Sequence, residues 1–336
     1  MSEAKASMIK DLIHSLRVAL SGKPVRFATP SLSLCHDRTV LSVLGETPVF
    51  CRPFLPMNCQ TFVGWGRRSG AMAAAMARRR GASALLLEDG FLRSFHRDDC
   101  SSSVVFDDVG IYYDAFAPSA LERLIAEPID AGQEARIAAV LQRWRDLRLS
   151  KYNAGAEYDG DLPDSYVLVV DQVRHDASVR CGMADERSFE AMLNAAIREN
   201  PDCTVIVKMH PDIHTRSKSG HFDVARLQAM THVMVIAEGC LPSRLIENAR
   251  KVYVVTSQIG FEALIWQKPV RCFGMPFYAG WGLTEDALSG PARRRPVGLL
   301  QLAMAALIRY PRYVDLQTWE ACEIETVIDY LAELKQ

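Results

Sequence analysis

The sequence predicts an α/β protein built from two Rossmann-like units that face each other across a cleft. Short apolar runs alternate with helical patterns in both halves of the chain. A stretch rich in Gly, Asp and Pro, KYNAGAEYDGDLPDS at 151–165, separates the halves and is typical of an interdomain linker. Polar clusters follow several predicted strands at their carboxyl ends, where open α/β sheets bind ligands.

In the first half, strands are predicted at VRFAT (25–29), TPVFC (47–51), TFVGWG (61–66) and GASALLLEDG (81–90). SGAMAAAMARRR (69–80) is predicted to be a helix, because basic residues in a last turn suit the helix dipole. This strand–helix–strand order predicts parallel strands with right-handed crossovers. MSEAKASMIKDLIHSLRVALSGK has the pattern of an amphipathic helix, and residues 119–149 are predicted to be mainly helical.

In the second half, strands are predicted at YVLVVDQ (166–172), CTVIVKMHP (203–211), HVMVIAE (232–238), KVYVVTS (251–257) and PVRCFG (269–274). Helices are predicted at 186–199 and 259–267, and from about 297 with a break at Tyr310–Pro311. We therefore divide the chain into a first domain at 1–160, a second at 161–300, and C-terminal helices at 301–336 that pack back across both.

The composition excludes several functional classes. The chain has 336 residues and a net charge of -1, which argues against general nucleic-acid binding. The arginine runs at 78–80 and 293–295 are interpreted as solvated faces or helix ends. We expect no transmembrane helix, no secretory leader, and a cytoplasmic location. Nine cysteines without CxxC spacing indicate reduced thiols, and GWGRRSG at 64–70 lacks the dinucleotide-binding spacing.

The first polar cluster lies in VLVVDQVRHDASVRCG, 167–182, directly after a predicted buried strand. Neighbouring cations keep the Asp176 carboxylate ionised, and such a group in a cleft can attack an anomeric carbon. A structural ion pair is the alternative, and spacing alone favours it. Asp171 is interpreted as a brace for the loop.

Glu88 and Asp89 end another predicted strand. Successive strand residues point to opposite faces, so one carboxylate is expected to face the cleft, where it can act as a general base. The alternative is a capping or turn aspartate before Gly90.

A cationic cluster follows in KMHPDIHTRSKSG, 208–220, with members Lys208, His210, His214, Arg216 and Lys218. It suits a phosphate or carboxylate ligand, and the proline after His210 keeps that residue extended at the strand end. For the other members, ordinary surface cations are the alternative.

Ser257 and Gln258 precede a predicted helix, whose N-terminus is a potential phosphate site. Helix capping by Ser257 is the alternative. Glu262 can accept hydrogen bonds from a ribose, or it is an ordinary first-turn carboxylate. Phe277, Tyr278 and Trp281 form either a platform for a sugar or base, or a loop that covers the sheet edge.

Five motifs, LEDGFLRS, VVDQVRHDASVRCG, KMHPD, TSQIGFEAL and GMPFYAGWGLTED, occur here in the order in which they occur in KpsC-type retaining β-Kdo glycosyltransferases. The chain resembles this family over roughly residues 60 to 315. Those proteins act in assembly of the lipid terminus of bacterial capsular polysaccharides. The resemblance implies a GT-B-like fold, an acceptor-side first domain, a CMP-sugar-binding second domain, and transfer from CMP-β-Kdo with retention.

The resemblance also implies residue roles. Asp176 is the nucleophile, and Glu88 or Asp89 is the base, with Glu88 preferred. His210 and Ser257 bind the CMP phosphate, as the matching residues do in the similar bacterial GT-B sialyltransferases. Arg174 or Arg180 offsets the charge of the donor's carboxylate. The other predicted substrate-binding residues are Gln172, His175, Lys208, Gln258 and Glu262, and neither a cofactor nor a metal ion is expected.

Typical members carry two tandem modules, whereas this chain has room for one, and its DQ pair resembles the first module more than the second. We expect an anionic glycolipid or Kdo-terminated acceptor at the inner membrane. Peripheral membrane contact is expected through Arg67, Arg68 and Arg78–Arg80, together with contact to capsule assembly proteins. The alternatives are a non-catalytic sugar-binding partner module, or another GT-B-type enzyme such as an inverting transferase or a nucleotide-sugar epimerase.

Overall fold

The structure, a computed structural model, describes residues 3–210 and 219–335. In chain order its strands are β1 (Val25–Thr29), β2 (Val49–Phe50), β3 (Cys59–Trp65), β4 (Ser83–Asp89), β5 (Ser103–Asp107), β6 (Tyr166–Val170), β7 (Thr204–Lys208), β8 (Val233–Ile236), β9 (Val252–Val254), β10 (Val270–Cys272), β11 (Glu285–Asp286), β12 (Pro311–Val314) and β13 (Ala321–Cys322).

The helices are α1 (Glu3–Ser21), α2 (Arg38–Leu44), α3 (Gly66–Arg80), α4 (Ala120–Ala126), α5 (Ala131–Asp146), α6 (Ala177–Cys181), α7 (Glu186–Glu199), α8 (Val224–Gln228), α9 (Ser243–Asn248), α10 (Ile259–Ile265), α11 (Leu299–Met304) and α12 (Ile324–Leu334). A π-helical turn, Ala305–Arg309, follows α11. Within the described ranges, no helix combines the length and the hydropathy that a membrane crossing requires.

The first sheet has seven strands in the order β13-β12-β5-β4-β3-β1-β2. Strands β1 to β4 run parallel, whereas β5 and β12 each pair antiparallel with a neighbour. Phe62 and Val63 on β3 point to opposite faces and enter different core clusters. Phe62 packs with α3, and Val63 packs with α2. The sheet is therefore covered by helices on both faces.

The second sheet has six parallel strands in the order β11-β10-β9-β6-β7-β8. All five residues of the central strand β6 are buried, which accounts for its continuous apolar sequence YVLVV. One continuous apolar core joins the two halves of the chain, since it includes Val105 of the first sheet together with Leu168 and Val254 of the second.

The C-terminal segment contains more than the predicted helices. Strand β12 pairs antiparallel with β5, and β13 pairs with β12, so both extend the first sheet. The Tyr310 hydroxyl donates to Asp107 Oδ2 at 2.8 Å, and the Tyr313 hydroxyl donates to the Leu307 carbonyl at 2.6 Å. The prediction missed these strands because they form only against β5, which it also missed.

A buried ion cluster links the two halves. Glu122, in α4, accepts from Arg294 Nε at 2.7 Å and from Arg293 Nε at 2.6 Å. Arg294 also donates to the carbonyls of Pro276 and Ala279, and Arg293 to that of Ala115. The interpretation of 293–295 as a solvated run is wrong for Arg294, which is 5% exposed.

We expect Glu122→Ala to lower the free energy of unfolding by about 3–5 kcal/mol, because it leaves a buried guanidinium without its counterion. Urea denaturation measures this loss. Glu127→Ala is the matched control: its ion-pair partner Arg309 lies at 3.5 Å and its side chain is 51% exposed. The control should lose about 1 kcal/mol or less of unfolding free energy. Equal losses in both variants would contradict a stabilising role of the buried ion cluster.

Candidate active site

A cleft with a volume of about 510 Å³ lies where strands of both sheets end. Its walls include Glu88 at the end of β4, residues 170–172 at the end of β6, residues 208–210 after β7, and Ser257 after β9. These are the carboxyl ends of the strands, the position at which open α/β sheets bind ligands.

Asp176 lies in the cleft wall on the loop after β6. The preceding residue, His175, has a positive φ of 65°, which turns the chain sharply before α6. Asp176 caps α6, since its Oδ1 accepts from the Ser178 N–H at 2.9 Å. The side chain is exposed, and within the described residues Oδ2 makes no hydrogen bond, so one carboxylate oxygen is available to a ligand.

Gln172 holds this loop to the neighbouring one. Its Oε1 accepts from the Thr256 N–H at 2.9 Å, and its Nε2 donates to Thr256 Oγ1 at 3.1 Å. Ser178 Oγ lies 3.1 Å from the same hydroxyl. Gln172 is 4% exposed, so it lines the cleft mainly as a clamp between the ends of β6 and β9.

Asp171 braces the base of the loop. Its Oδ1 accepts from the N–H groups of Gln172 at 2.8 Å and His221 at 3.1 Å. Burial raises the pKa of this carboxyl to about 6. Asp171 therefore holds the base of the loop in place through these two hydrogen bonds.

Lys208 supplies a buried positive charge to the cleft. It is 3% exposed and no carboxylate among the described residues pairs with its Nζ, although the ammonium interacts with the Cys240 thiol. Burial raises the pKa of the nearby Cys240 thiol, and the Lys208 charge opposes that rise. His210 lies in the same wall. The other predicted members of this cationic cluster, His214, Arg216 and Lys218, lie outside the described residues.

Ser257 and Gln258 lie in the cleft wall before α10. Ser257 Oγ accepts from the Ile259 N–H at 3.3 Å, and the Tyr278 hydroxyl donates to the Ser257 carbonyl at 2.5 Å. Gln258 Nε2 donates across the cleft to the Phe91 carbonyl at 2.7 Å. Ser257 therefore accepts from the first N–H of α10 from the position before the N-cap, Gln258, and the Gln258 side chain links the two halves of the chain.

Glu262 lies in the cleft wall, but its carboxylate is bound by Ser150 and Lys151 at the start of the linker. It is 2% exposed, and it accepts from Ser150 Oγ at 2.9 Å and from the Lys151 N–H at 3.3 Å. Burial raises its pKa to about 7, although these hydrogen bonds oppose the rise. Protein donors therefore contact both carboxylate oxygens, as expected for a structural carboxylate.

Glu88 and Asp89 point in different directions. Glu88 lies in the cleft wall, where burial and then the charge of Asp89 raise its pKa. Asp89 pairs with Arg93 at 2.8 Å and does not line the cleft. A carboxyl with a raised pKa in a cleft is suited to proton transfer.

Three predicted substrate-binding residues lie outside the cleft wall. Arg174 Nε donates to the Gly220 carbonyl at 2.8 Å, and its Nη1 pairs with Glu186 at 3.2 Å. It lines a second cavity of about 290 Å³. His175 and Arg180 are exposed. The prediction that Arg174 faces the donor disagrees with this geometry, since the sharp turn at His175 separates Arg174 from Asp176.

Sequence reasoning missed several cleft residues, among them Tyr112, Tyr113, Ser150, Lys151 and Thr256. Burial raises the pKa of the Tyr112 hydroxyl well above its usual range. Lys151 belongs to the segment interpreted only as a linker, and Ser150 directly precedes that segment. Thr256 follows β9 and adjoins Ser257, whereas no strand-end pattern marks the other four residues, because folding brings their loops to the cleft from elsewhere.

The predicted aromatic platform is mostly core. Tyr278 and Trp281 are fully buried, and the Trp281 Nε1–H donates to the Phe277 carbonyl at 2.8 Å. Phe277 lines the cleft and stacks on Phe91, with ring centroids 4.4 Å apart. Packing explains these aromatics better than ligand contact does.

A family model described as "Capsule polysaccharide biosynthesis protein" matches residues 60–150 and 128–313. "Capsule polysaccharide modification protein LipA" of Neisseria meningitidis serogroup A is 40% identical over 297 residues. That match covers 83% of this chain and 42% of LipA, so the chain spans less than half of that curated relative. "Lipopolysaccharide-processing protein LpsZ" of Rhizobium meliloti is 37% identical, with 89% of this chain and 69% of LpsZ covered.

Two solved structures are similar in fold. "Thermosulfurimonas dismutans KpsC, beta Kdo 2,4 transferase" has a TM-score of 0.85 and 36% identity, covering 91% of this chain and 98% of that one. "Thermosulfurimonas dismutans KpsC, beta Kdo 2,7 transferase" has a TM-score of 0.72 and 27% identity, covering 93% and 100%. The fold of the present chain is GT-B-like, as the sequence predicts.

The buried Glu262 carboxyl should make the free energy of unfolding depend on pH. Its pKa is raised from 4.5 to about 7 on folding, so its contribution to stability is complete below pH 4.5 and is lost as pH rises through 7. The stability of the wild type relative to Glu262→Gln should therefore fall by roughly 2–3 kcal/mol between pH 5 and pH 8. Urea denaturation at several pH values measures this difference. Asp171 titrates in both proteins, so its effect cancels in the difference between them. Unfolding free energies of the two proteins that change in parallel with pH would contradict the prediction.

Proposed function

Because this chain belongs to the capsule polysaccharide biosynthesis protein family, we propose that it is a retaining glycosyltransferase that moves Kdo from CMP-β-Kdo to a glycolipid or Kdo-terminated acceptor. The likeness to the two KpsC Kdo transferase structures supports this activity. Identity and TM-score are both higher for the 2,4 transferase, which favours a 2,4 linkage.

One observation carries the proposal: the cleft combines a buried ammonium that has no carboxylate partner among the described residues with four carboxyl groups, of which Asp171 and Glu262 are held by protein donors. Lys208 provides the positive charge, while Asp176 and Glu88 lie in the walls of the same cleft. An unpaired buried charge is costly unless an anion neutralises it. The donor supplies a phosphate and a carboxylate, and either anion suits Lys208.

The donor would bind to the second sheet. The CMP phosphate lies near His210 and Ser257, where hydrogen-bond donors and the Lys208 charge stabilise the departing phosphate. Gln172 holds the Asp176 loop and the Ser257 loop in fixed register through Thr256. The nucleophile and the leaving-group site are therefore fixed to each other before the donor arrives.

In the first step, an Asp176 carboxylate oxygen forms a bond to the anomeric carbon of Kdo. The bond from that carbon to the phosphate oxygen breaks, and CMP leaves with the electron pair. The product is a glycosyl ester on Asp176, with inverted configuration at the anomeric carbon.

In the second step, the acceptor hydroxyl attacks the same carbon from the opposite side. Its proton passes to Glu88, because burial raises the pKa of this carboxyl and so makes its carboxylate a better proton acceptor. The ester bond breaks and Asp176 regains its charge. Two inversions give net retention. A binding module without turnover and an enzyme that forms no covalent adduct remain as the competing functions.

Intact mass tests the covalent step. With CMP-Kdo generated in situ and no acceptor, we expect a Kdo-sized mass increment on the wild type and none on Asp176→Asn. Transfer should fall by roughly a thousandfold or more. Asp185→Asn is the matched control, since Asp185 caps α7 as Asp176 caps α6 but does not line the cleft.

Each other outcome points to a different function. CMP release without an adduct in any variant indicates an inverting transferase or another mechanism without covalent attachment. Donor binding without CMP release indicates a binding module. Glu88→Gln should accumulate the adduct when acceptor is present, whereas accumulation in Asp89→Asn would assign the base to Asp89.

Lys208→Met separates ligand binding from folding. The substitution keeps an unbranched apolar stem and removes a buried unpaired charge, so we expect the melting temperature to rise. Affinity for CMP-Kdo should fall by about 10- to 100-fold, the loss typical of a charge-assisted bond. Calorimetry measures both quantities. A lower melting temperature with unchanged affinity would make Lys208 a structural residue.

A further inference from the structure

One face of the first sheet is covered by α1 and α3. Val18 of α1 packs on the same core cluster as Ala73, Met76 and Ala77 of α3. Helix α2 contributes to the cluster on the opposite face. We call the solvent side of these two helices, together with the adjoining loop 51–58, the α1–α3 face.

Apart from Glu3 and Asp11 in α1, the elements of this face contain no acidic residue. Residues 12–36 and 47–87 include no Asp or Glu, although the whole chain has 40 acidic residues and a net charge of -1. The second stretch alone has six arginines. Asp11, just before the first stretch, is paired with His36 at 2.9 Å. Positive charge is therefore concentrated on this face.

The same face exposes large apolar side chains. Leu20 and Phe54 are each 82% exposed, and Leu16 is 50% exposed. With Ile13 and Met72, five of the nine large apolar side chains exposed among the described residues belong to this face. Ile13, Leu16 and Leu20 follow helical spacing, so they form one stripe on α1.

Hydrogen bonds hold the apolar and basic groups together. Arg80 donates to the carbonyls of Pro53 at 2.9 Å and Leu55 at 3.0 Å, which fixes the Phe54 loop at the end of α3. Arg78 and Arg79, in the last turn of α3, are exposed. Five further exposed residues complete the basic group: Arg17, Lys23, Arg26, Arg52 and Arg68.

We propose that the α1–α3 face docks on a bilayer that carries anionic headgroups. Cations attract such headgroups, while exposed apolar side chains enter the boundary between headgroups and acyl chains. A second copy of the chain fits less well, because its own face would bring arginines against arginines. The inference stands on this surface alone and does not depend on the proposed transferase activity.

The face also adjoins the cleft. Arg68 and Met72 line a groove of about 570 Å³ together with Trp65, Ser31 and Asp37, the acidic residue that caps α2. Trp65 hydrogen-bonds Glu88, which lies in the cleft wall. A molecule anchored in the bilayer under this face therefore has a short route to the cleft. Arg67 is not part of the face, since its Nη1 contacts Cys181 Sγ at 3.0 Å.

Vesicle flotation tests the proposal. The protein should float with phosphatidylcholine vesicles containing about 30% phosphatidylglycerol at about 0.1 M salt, and should not float with phosphatidylcholine alone. Binding should weaken at about 1 M salt, where charge is screened within about 3 Å.

Two double variants test the two components of the face. Arg78→Gln/Arg79→Gln should lower the partition coefficient between vesicles and water roughly 30-fold. Each arginine contributes about 1 kcal/mol to binding, and about 1.4 kcal/mol corresponds to a factor of ten. Leu20→Ser/Phe54→Ser should abolish flotation, with an unchanged melting temperature because both side chains are exposed. The matched controls are Arg187→Gln/Arg198→Gln on α7 and Phe116→Ser, which is 69% exposed in the wild type; both should float like the wild type.

Three results would overturn the proposal. The first is no flotation with anionic vesicles. The second is flotation that the face variants and the controls retain equally. The third is self-association in light scattering that the Leu20→Ser/Phe54→Ser variant removes, which would make the face an interface between copies.

Discussion

The Glu122 carboxylate, held between two guanidiniums, is the interaction on which the geometry of the cleft depends. Arg294 contacts Glu122 with one nitrogen and the carbonyls of the loop after β10 with another. That loop carries Phe277 into the cleft wall, where it stacks on Phe91 from the first half. The ion pair between Glu122 and Arg294, which are both buried, therefore fixes the position of one cleft wall relative to the other.

Much of the fold follows from local pattern. Strand β1 and helix α7 have the predicted bounds, and the interior strand β6 is recognisable from its apolar run, because the side chains of these elements repeat with the period of the element itself. The strand-end rule also located much of the site. Asp176, Glu88, Lys208 and His210 were predicted from their places after strands, and the structure gathers all four in one cleft.

The remaining features depend on contacts that local pattern does not encode. Strand β12 pairs with the edge of β5, and β13 pairs in turn with β12. Arg174 leaves the cleft because the chain reverses at His175 and because Gly220 and Glu186 supply its partners. Glu262 turns to the linker, which no spacing rule connects to α10. Each of these outcomes is a pairing between residues distant in sequence.

A buried ammonium attracts any anion that reaches it, so charge alone would not make the cleft selective between anions of equal charge. Selection among such anions would depend on neutral groups in the same cleft, which are fixed before any ligand arrives. Gln172, Ser178 and Thr256 form one hydrogen-bonded unit at the ends of two strands. In the proposed function, their fixed dipoles would favour one orientation of a bound oxyanion over another, so a change of donor would begin among such uncharged residues.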